Sequence, residues 1–250
     1  MNQYGLIGFP LSHSFSENYF ANKFLREGIN DCTYQNFPIK NIEDIYQLIA
    51  DFPDLKGLNV TIPYKEKVLP FLTASNEIVK AIGACNCIKI EGKNLFGYNT
   101  DAIGFEKSLS PHLEPHHTRA LILGEGGAAK AVAYVFKKMG IEYKYVVRRG
   151  GPAQRRILFS DLTDSLIASH TVIVNCTPLG MYPNIHESPS INYNILSSRH
   201  YLYDLVYNPE KTLFLKEGEA KDAVTKNGYE MLLLQAEESW RIWTTDNSLR

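Results

Sequence analysis

No stretch of this sequence stays apolar long enough to reach transmembrane length, and its first residues, MNQYGLIGFP, lack the basic start and apolar core of a secretory signal. The expectation is a cytoplasmic protein without a membrane partner. Runs of one charge are missing too. Lysines and arginines are dispersed and the formal net charge is -1, so no nucleic acid is expected as a partner. The four cysteines, Cys32, Cys85, Cys87 and Cys176, show neither CxxC spacing nor accompanying histidines, which argues against a metal site. They read as reduced, mostly buried thiols. Internal repeats and low-complexity tracts are absent, which leaves small-molecule chemistry.

What is present is a globular pattern, since 250 residues with 44% hydrophobic content can bury a sizeable core. From residue 4 to about 100, strand-like and helix-like pieces alternate: YGLIGF, ENYFANKFLREG, CTYQNF, IEDIYQLIADF, GLNVTI, KEKVLPFL and ACNCIKI. SPHLEPHHT, residues 110 to 118, lacks periodicity and reads as a link, with His116 and His117 as linker residues rather than ligands. RALILGEGGAAKAVAYVFKKMGIEYKYVVRRGG then runs strand, Gly-rich turn, helix ending at Gly140 and strand ending at Val147. TVIVNCTP and HYLYDLVYNP are further strands ending in polar residues, the pattern of a parallel sheet that opens onto a ligand crevice. GYEMLLLQAEESWRIW reads as a long helix with one broad apolar face.

GEGGAA fits the dinucleotide fingerprint in the context that gives it meaning, after an apolar strand and at the opening of a helix. Gly124 permits the tight turn, Gly126 lets backbone amides approach a pyrophosphate, and small Ala129 lets the helix pack against the strand, with Gly127 and Ala128 also expected to bind the cofactor. At the end of the second strand, where an NAD site presents a carboxylate to the ribose, this chain has Arg148 and Arg149. Guanidinium groups pair with a 2′-phosphate, so NADP is the expected cofactor.

GLNVTIPYKE raises a separate question. Read as a strand followed by a helix start, it places Lys65 where partial positive charge disfavours a cation, and a local rule broken without compensation marks a functional candidate. Read alone, Lys65 is equally a surface lysine, and Asp101 equally the N-cap of a helix beginning AIGFEKSL.

HSFS at 13 to 16, NVTIPYK at 59 to 65, GACN at 83 to 86 and NTD at 99 to 101, taken in order with the GEGGA turn, resemble shikimate dehydrogenases. NCTPLGM at 175 to 181, DLVYNPEKT at 204 to 212 and the closing GYEMLLLQAEESW extend the resemblance over nearly the whole chain. It implies an α/β fold with an N-terminal substrate domain and a Rossmann-type domain, the C-terminal helix returning to the first. The corresponding boundaries are 1–101, 102–228 and 229–250. It also implies NADP-dependent interconversion of 3-dehydroshikimate and shikimate, with Lys65 and Asp101 as the catalytic pair. Ser14, Ser16 and Tyr207 would hold the substrate carboxylate, and Asn59, Thr61, Asn86 and Gln235 the ring hydroxyls. Thr177, Gly228 and Met231 would join the cofactor site.

Ser14 and Glu17 also make an S-x-x-E capping box. Glu17 replaces the family's usual Pro, Glu230 replaces a small residue, and Arg148-Arg149-Gly150 stands where the family reads Asn-Arg-Thr. The cofactor half is short, with RRILFSDL as an abbreviated element. Two rival readings remain: a quinate/shikimate enzyme of broader specificity, and a dinucleotide-binding sensor without catalysis. A monomer or homodimer is expected.

Overall fold

The computed structural model describes residues 1–11, 15–150 and 155–245. The chain folds as two compact units, one made of Met1–Thr100 with the chain from Ala236 on, the other of Asp101–Gln235.

The first unit contains β1 (Asn2–Ile7), α1 (Phe15–Glu27), β2 (Cys32–Phe37), α2 (Ile45–Asp51), β3 (Leu55–Val60), β4 (Ala74–Ser75), α3 (Glu77–Ile82), β5 (Cys87–Glu91) and β6 (Asn94–Tyr98). Their sheet order is β2-β1-β3-β5-β6-β4. β1 pairs in parallel with β2 and β3, while β5 runs antiparallel to β3 and β6. β3 and β5 are buried along most of their length, including the polar Asn59 and Lys89. The short elements β4, α3 and β6 had no counterpart in the sequence reading.

KEKVLPFL does not form the expected helix. Residues 64 to 68 run as hydrogen-bonded turns, and only Leu69–Phe71 is helical, as a single 3-10 turn. Pro70 has no amide to donate and disfavours the α conformation at Leu69 before it, which stops a helix from running on through the segment. Lys65 therefore does not sit in the first turn of an α-helix, which is the placement that singled it out.

The second unit is built from α4 (Thr100–Leu109, from its second residue on), β7 (Arg119–Leu123), α5 (Gly127–Lys138), β8 (Glu142–Val147), β9 (Arg156–Leu158), α6 (Asp164–Ser169), β10 (Val172–Asn175), β11 (Tyr201–Asp204), α7 (Leu213–Glu219) and β12 (Val224–Lys226). α8 (Tyr229–Thr244) starts in this unit and ends in the first. The strands pair in parallel in the order β12-β11-β10-β7-β8-β9. RRILFSDL supplies β9 and a 3-10 turn, Phe159–Asp161. From β7 the chain moves outward to β8 and β9, then returns to place β10 on the other side of β7. That reversal is the switch point at which such sheets open a crevice beyond their strand ends.

Within the first unit the far half of α8 is fixed by Trp243. Its indole donates 2.9 Å to the Ile88 carbonyl and its ring stacks 5.0 Å from Tyr4. A Cβ at Gly57 would run into that ring, so glycine is required there by packing. His116 and His117, in the link before β7, both bring Nε2 close to the Arg199 carbonyl, at 3.0 and 3.1 Å. No helix among the described residues is long and apolar enough to cross a membrane.

Candidate active site

The first unit gathers several of the expected substrate residues around one buried polar network. The Tyr34 hydroxyl donates to Asn59 Oδ1 at 2.9 Å. Asn59 Nδ2 donates to Ser239 Oγ at 2.9 Å and to the Asn86 carbonyl at 3.4 Å. Ser239 Oγ lies 3.2 Å from Thr100 Oγ1, which accepts from Asn86 Nδ2 at 2.9 Å. Asn86 Oδ1 in turn accepts the Thr100 amide at 2.6 Å. All five side chains are buried, a setting in which an unmatched amide or hydroxyl would be costly. Burial pushes the Tyr34 phenol up, and a hydrogen bond from Ser16 opposes that shift.

Ser16 occupies the first turn of α1, half-buried. Ser14 lies outside the described residues. Glu17, the unusual carboxylate beside them, accepts a 2.5 Å hydrogen bond from Asn36 Nδ2 on β2. Thr61 follows β3, its amide bonded to the Ile7 carbonyl at 2.9 Å. The half-buried Lys65 accepts the Cys85 amide at its carbonyl, 2.7 Å away. The dipeptide Cys85–Asn86 thus anchors the Lys65 backbone at one residue and Thr100, which precedes Asp101, at the other.

In the second unit Asp101 is buried in the first turn of α4, one residue inside the helix rather than at its N-cap. Gly104, one turn on, lets α8 approach, because a Cβ there would meet the Met231 carbonyl and Gln235. Gln235 Nε2 donates to the Leu232 carbonyl at 2.9 Å, so part of its amide is satisfied within its own helix. Tyr207 is half-buried in the loop after β11, and burial raises its pKa.

The expected cofactor residues collect at the carboxyl ends of β7, β8, β10 and β11. Gly124 takes φ +104° after β7, a conformation that L side chains rarely adopt, and a Cβ there would press on Thr177. Gly126 is the N-cap of α5, followed by Gly127 and the half-buried Ala128. No atom would come within 4 Å of a Cβ at Gly126, so the helix N-terminus is open to an anion. Thr177 is held by Asn175, whose Oδ1 accepts its amide at 3.0 Å and its hydroxyl at 2.6 Å. Arg148 and Arg149, just past β8, are exposed and make no hydrogen bond or ion pair among the described residues. Gly228 packs on the Leu205 carbonyl, Met231 is buried one turn into α8, and Glu230 pairs with Lys226 at 2.5 Å. An open helix start beside two uncommitted guanidiniums fits a phosphorylated dinucleotide.

Residues 6–88 match the shikimate dehydrogenase substrate binding domain. A shikimate dehydrogenase (NADP(+)) of Caldicellulosiruptor saccharolyticus is 37% identical over 258 residues, covering 97% of this chain and 92% of its own. The chain belongs to the shikimate dehydrogenase family. The crystal structure of a chorismate mutase/shikimate 5-dehydrogenase fusion protein from Clostridium acetobutylicum is similar at 34% identity and a TM-score of 0.85, covering 98% of this chain and 91% of that one. A shikimate 5-dehydrogenase from Thermus thermophilus, solved with NADP(H) and shikimate, is similar at 28% identity and a TM-score of 0.84, covering 98% of this chain and 94% of that one.

Several residues in these clusters escaped the sequence reading. Tyr34 lies in the strand-like CTYQNF, where no local pattern marks it as a site residue. Ser239 lies four residues after Gln235, hence on the same face of α8, and that spacing was the available signal. Glu125, inside the glycine turn, forms an ion pair with Arg156 of β9, whose Nε and Nη2 both donate to its Oε1. Asp204 accepts from Asn175, Val206 and Thr212, and burial still pushes its carboxyl up to about 6.

Proposed function

We propose that this chain is an NADP-dependent shikimate dehydrogenase in which Lys65 and Asp101 form the catalytic pair. When bound, NADP takes up or supplies the hydride at the reacting carbon. The Lys65 amine accepts the hydroxyl proton as alcohol becomes ketone and returns it in reduction. The Asp101 carboxylate is its partner and keeps the amine in place. Asn59, Thr61, Asn86 and Gln235 orient the ring through its hydroxyls, and Ser14, Ser16 and Tyr207 receive its carboxylate. The glycine turn with Thr177 takes the pyrophosphate, Arg148 and Arg149 the 2′-phosphate, and Gly228 and Met231 the nicotinamide end.

The observation that most supports this assignment is the double anchoring of Cys85–Asn86, to the Lys65 carbonyl and to the backbone and hydroxyl of Thr100. A site for a polyhydroxylated ring needs a lysine and amides whose positions are set before the ligand arrives. The test is to mix the purified protein with shikimate and NADP and follow reduced nicotinamide, with quinate and NAD as parallel arms. Turnover with shikimate and NADP in excess of the other combinations is expected; no reduction in any arm would defeat the assignment.

A further inference from the structure

The Asn59 amide has only one orientation compatible with its neighbours. The Asn86 main-chain carbonyl can only accept, so Nδ2 must face it, and the same nitrogen then gives its second hydrogen to Ser239 Oγ. Oδ1 is left facing Tyr34, which donates to it. Both amide hydrogens are consumed inside the unit, and what Asn59 retains for a ligand is a lone pair on Oδ1. Ser239 is fully buried, comes from α8 near the far end of the chain, and also touches Thr100 and the buried Cys87 thiol.

We propose that Ser239 is a positioning residue that commits Asn59 to act as a hydrogen-bond acceptor toward a substrate hydroxyl. This deepens the reading above and rests on it. The shorter of the two bonds that hold the amide hydrogens inward is the one to Ser239, at 2.9 Å against 3.4 Å to the carbonyl. Without it only the 3.4 Å contact to the Asn86 carbonyl holds Nδ2 inward, the amide is freer to turn about its terminal torsion, and the site loses part of its preference for a ligand group that donates. A hydroxyl donates and accepts; a fluorine in its place cannot donate.

The experiment compares wild type with Ser239→Ala and Ser239→Cys, using shikimate and the analogues in which each ring hydroxyl in turn is replaced by fluorine. NADP affinity is measured separately by nucleotide fluorescence. Wild type should discriminate against one of the fluorinated analogues by about tenfold, the worth of one hydrogen bond to a buried acceptor. In Ser239→Ala the shikimate KM should rise, that discrimination should shrink, and NADP affinity should be unchanged. Ser239→Cys, with its weaker thiol, should fall between.

Unchanged KM and unchanged discrimination in Ser239→Ala would overturn the proposal. So would a uniform loss of activity toward every analogue together with weaker NADP binding, which is what a merely structural role predicts. If the alanine variant does not fold, the cysteine variant decides by the same two readouts. A wild-type protein inactive on shikimate sinks the underlying reading and this proposal with it, whereas an active wild type with an indifferent Ser239 sinks only the positioning role.

Discussion

Asp204 and Asn175 are paired neighbours at the carboxyl ends of β11 and β10, and the Asn175 amide donates to Asp204 Oδ1 at 2.9 Å. Asn175 in turn holds Thr177, and Asp204 also accepts the Thr212 hydroxyl at 2.6 Å. Two loops that border the crevice are thus tied to one carboxyl group. Asp204→Ala strands three buried donors and should cost about 3 kcal/mol or more. Asp204→Asn should cost less, because its new Nδ2 can donate to the Thr212 hydroxyl. Denaturant melts of the two variants check the order.

The same carboxyl shapes the acid response. With its pKa raised to about 6 from 3.8, native Asp204 holds a proton between those values that the unfolded chain releases. Its contribution is full below pH 3.8 and lost as pH rises through 6. His117, His170 and His200 have pKa values lowered from 6.5 by burial, so the unfolded chain protonates first and stability falls as pH drops below 6.5. The two effects oppose each other below pH 6. In scanning calorimetry from pH 7.5 to 4.5, Asp204→Asn should lose Tm more steeply than wild type; a shallower loss would contradict the assignment.

Lys65→Ala should lower kcat by about a hundredfold or more, the usual worth of a positioned proton donor. NADP binding should stay within about twofold, since only the chemical step loses a group. Single-turnover kinetics alongside nucleotide titration separate the two, and retained turnover would remove Lys65 from its role.

Arg149→Ala should weaken NADP by about tenfold or more while leaving NAD nearly unaffected, because only NADP carries the 2′-phosphate that a guanidinium would bind. Calorimetric titration with both nucleotides measures the ratio. Equal weakening would move the phosphate elsewhere.

Gly124→Val places a β-branched side chain at φ +104° and against Thr177. A cost of about 1–3 kcal/mol in stability is expected. Here NADP and NAD should weaken together, since both carry the pyrophosphate that the turn would receive. Selective loss of NADP would show that the turn contributes to the 2′-phosphate site.

The alternation of strands and helices, the long C-terminal helix and the glycine turn between β7 and α5 were all written in local pattern. Each depends on periodicity or on the backbone freedom of one residue, and both can be read within a dozen positions. Lys65 was found for a reason the fold does not sustain, because Pro70 interrupts the helix that periodicity alone favours over KEKVLPFL. The place of Arg148 and Arg149 just past β8 was legible because the end of the second strand is a fixed place in the dinucleotide motif.

Tertiary structure alone decided which way the Asn59 amide faces. Its partners are residues 34, 86 and 239, and no local pattern encodes a hydrogen bond across 180 positions of chain. The same holds for Asp204, whose burial raises its pKa against the pull of its hydrogen-bond donors only once β10 and β11 are paired, and for Arg156, which meets Glu125 through the sheet. Local sequence sets what each segment prefers to be; burial then selects, among side chains from distant segments, the one arrangement that leaves their polar atoms satisfied.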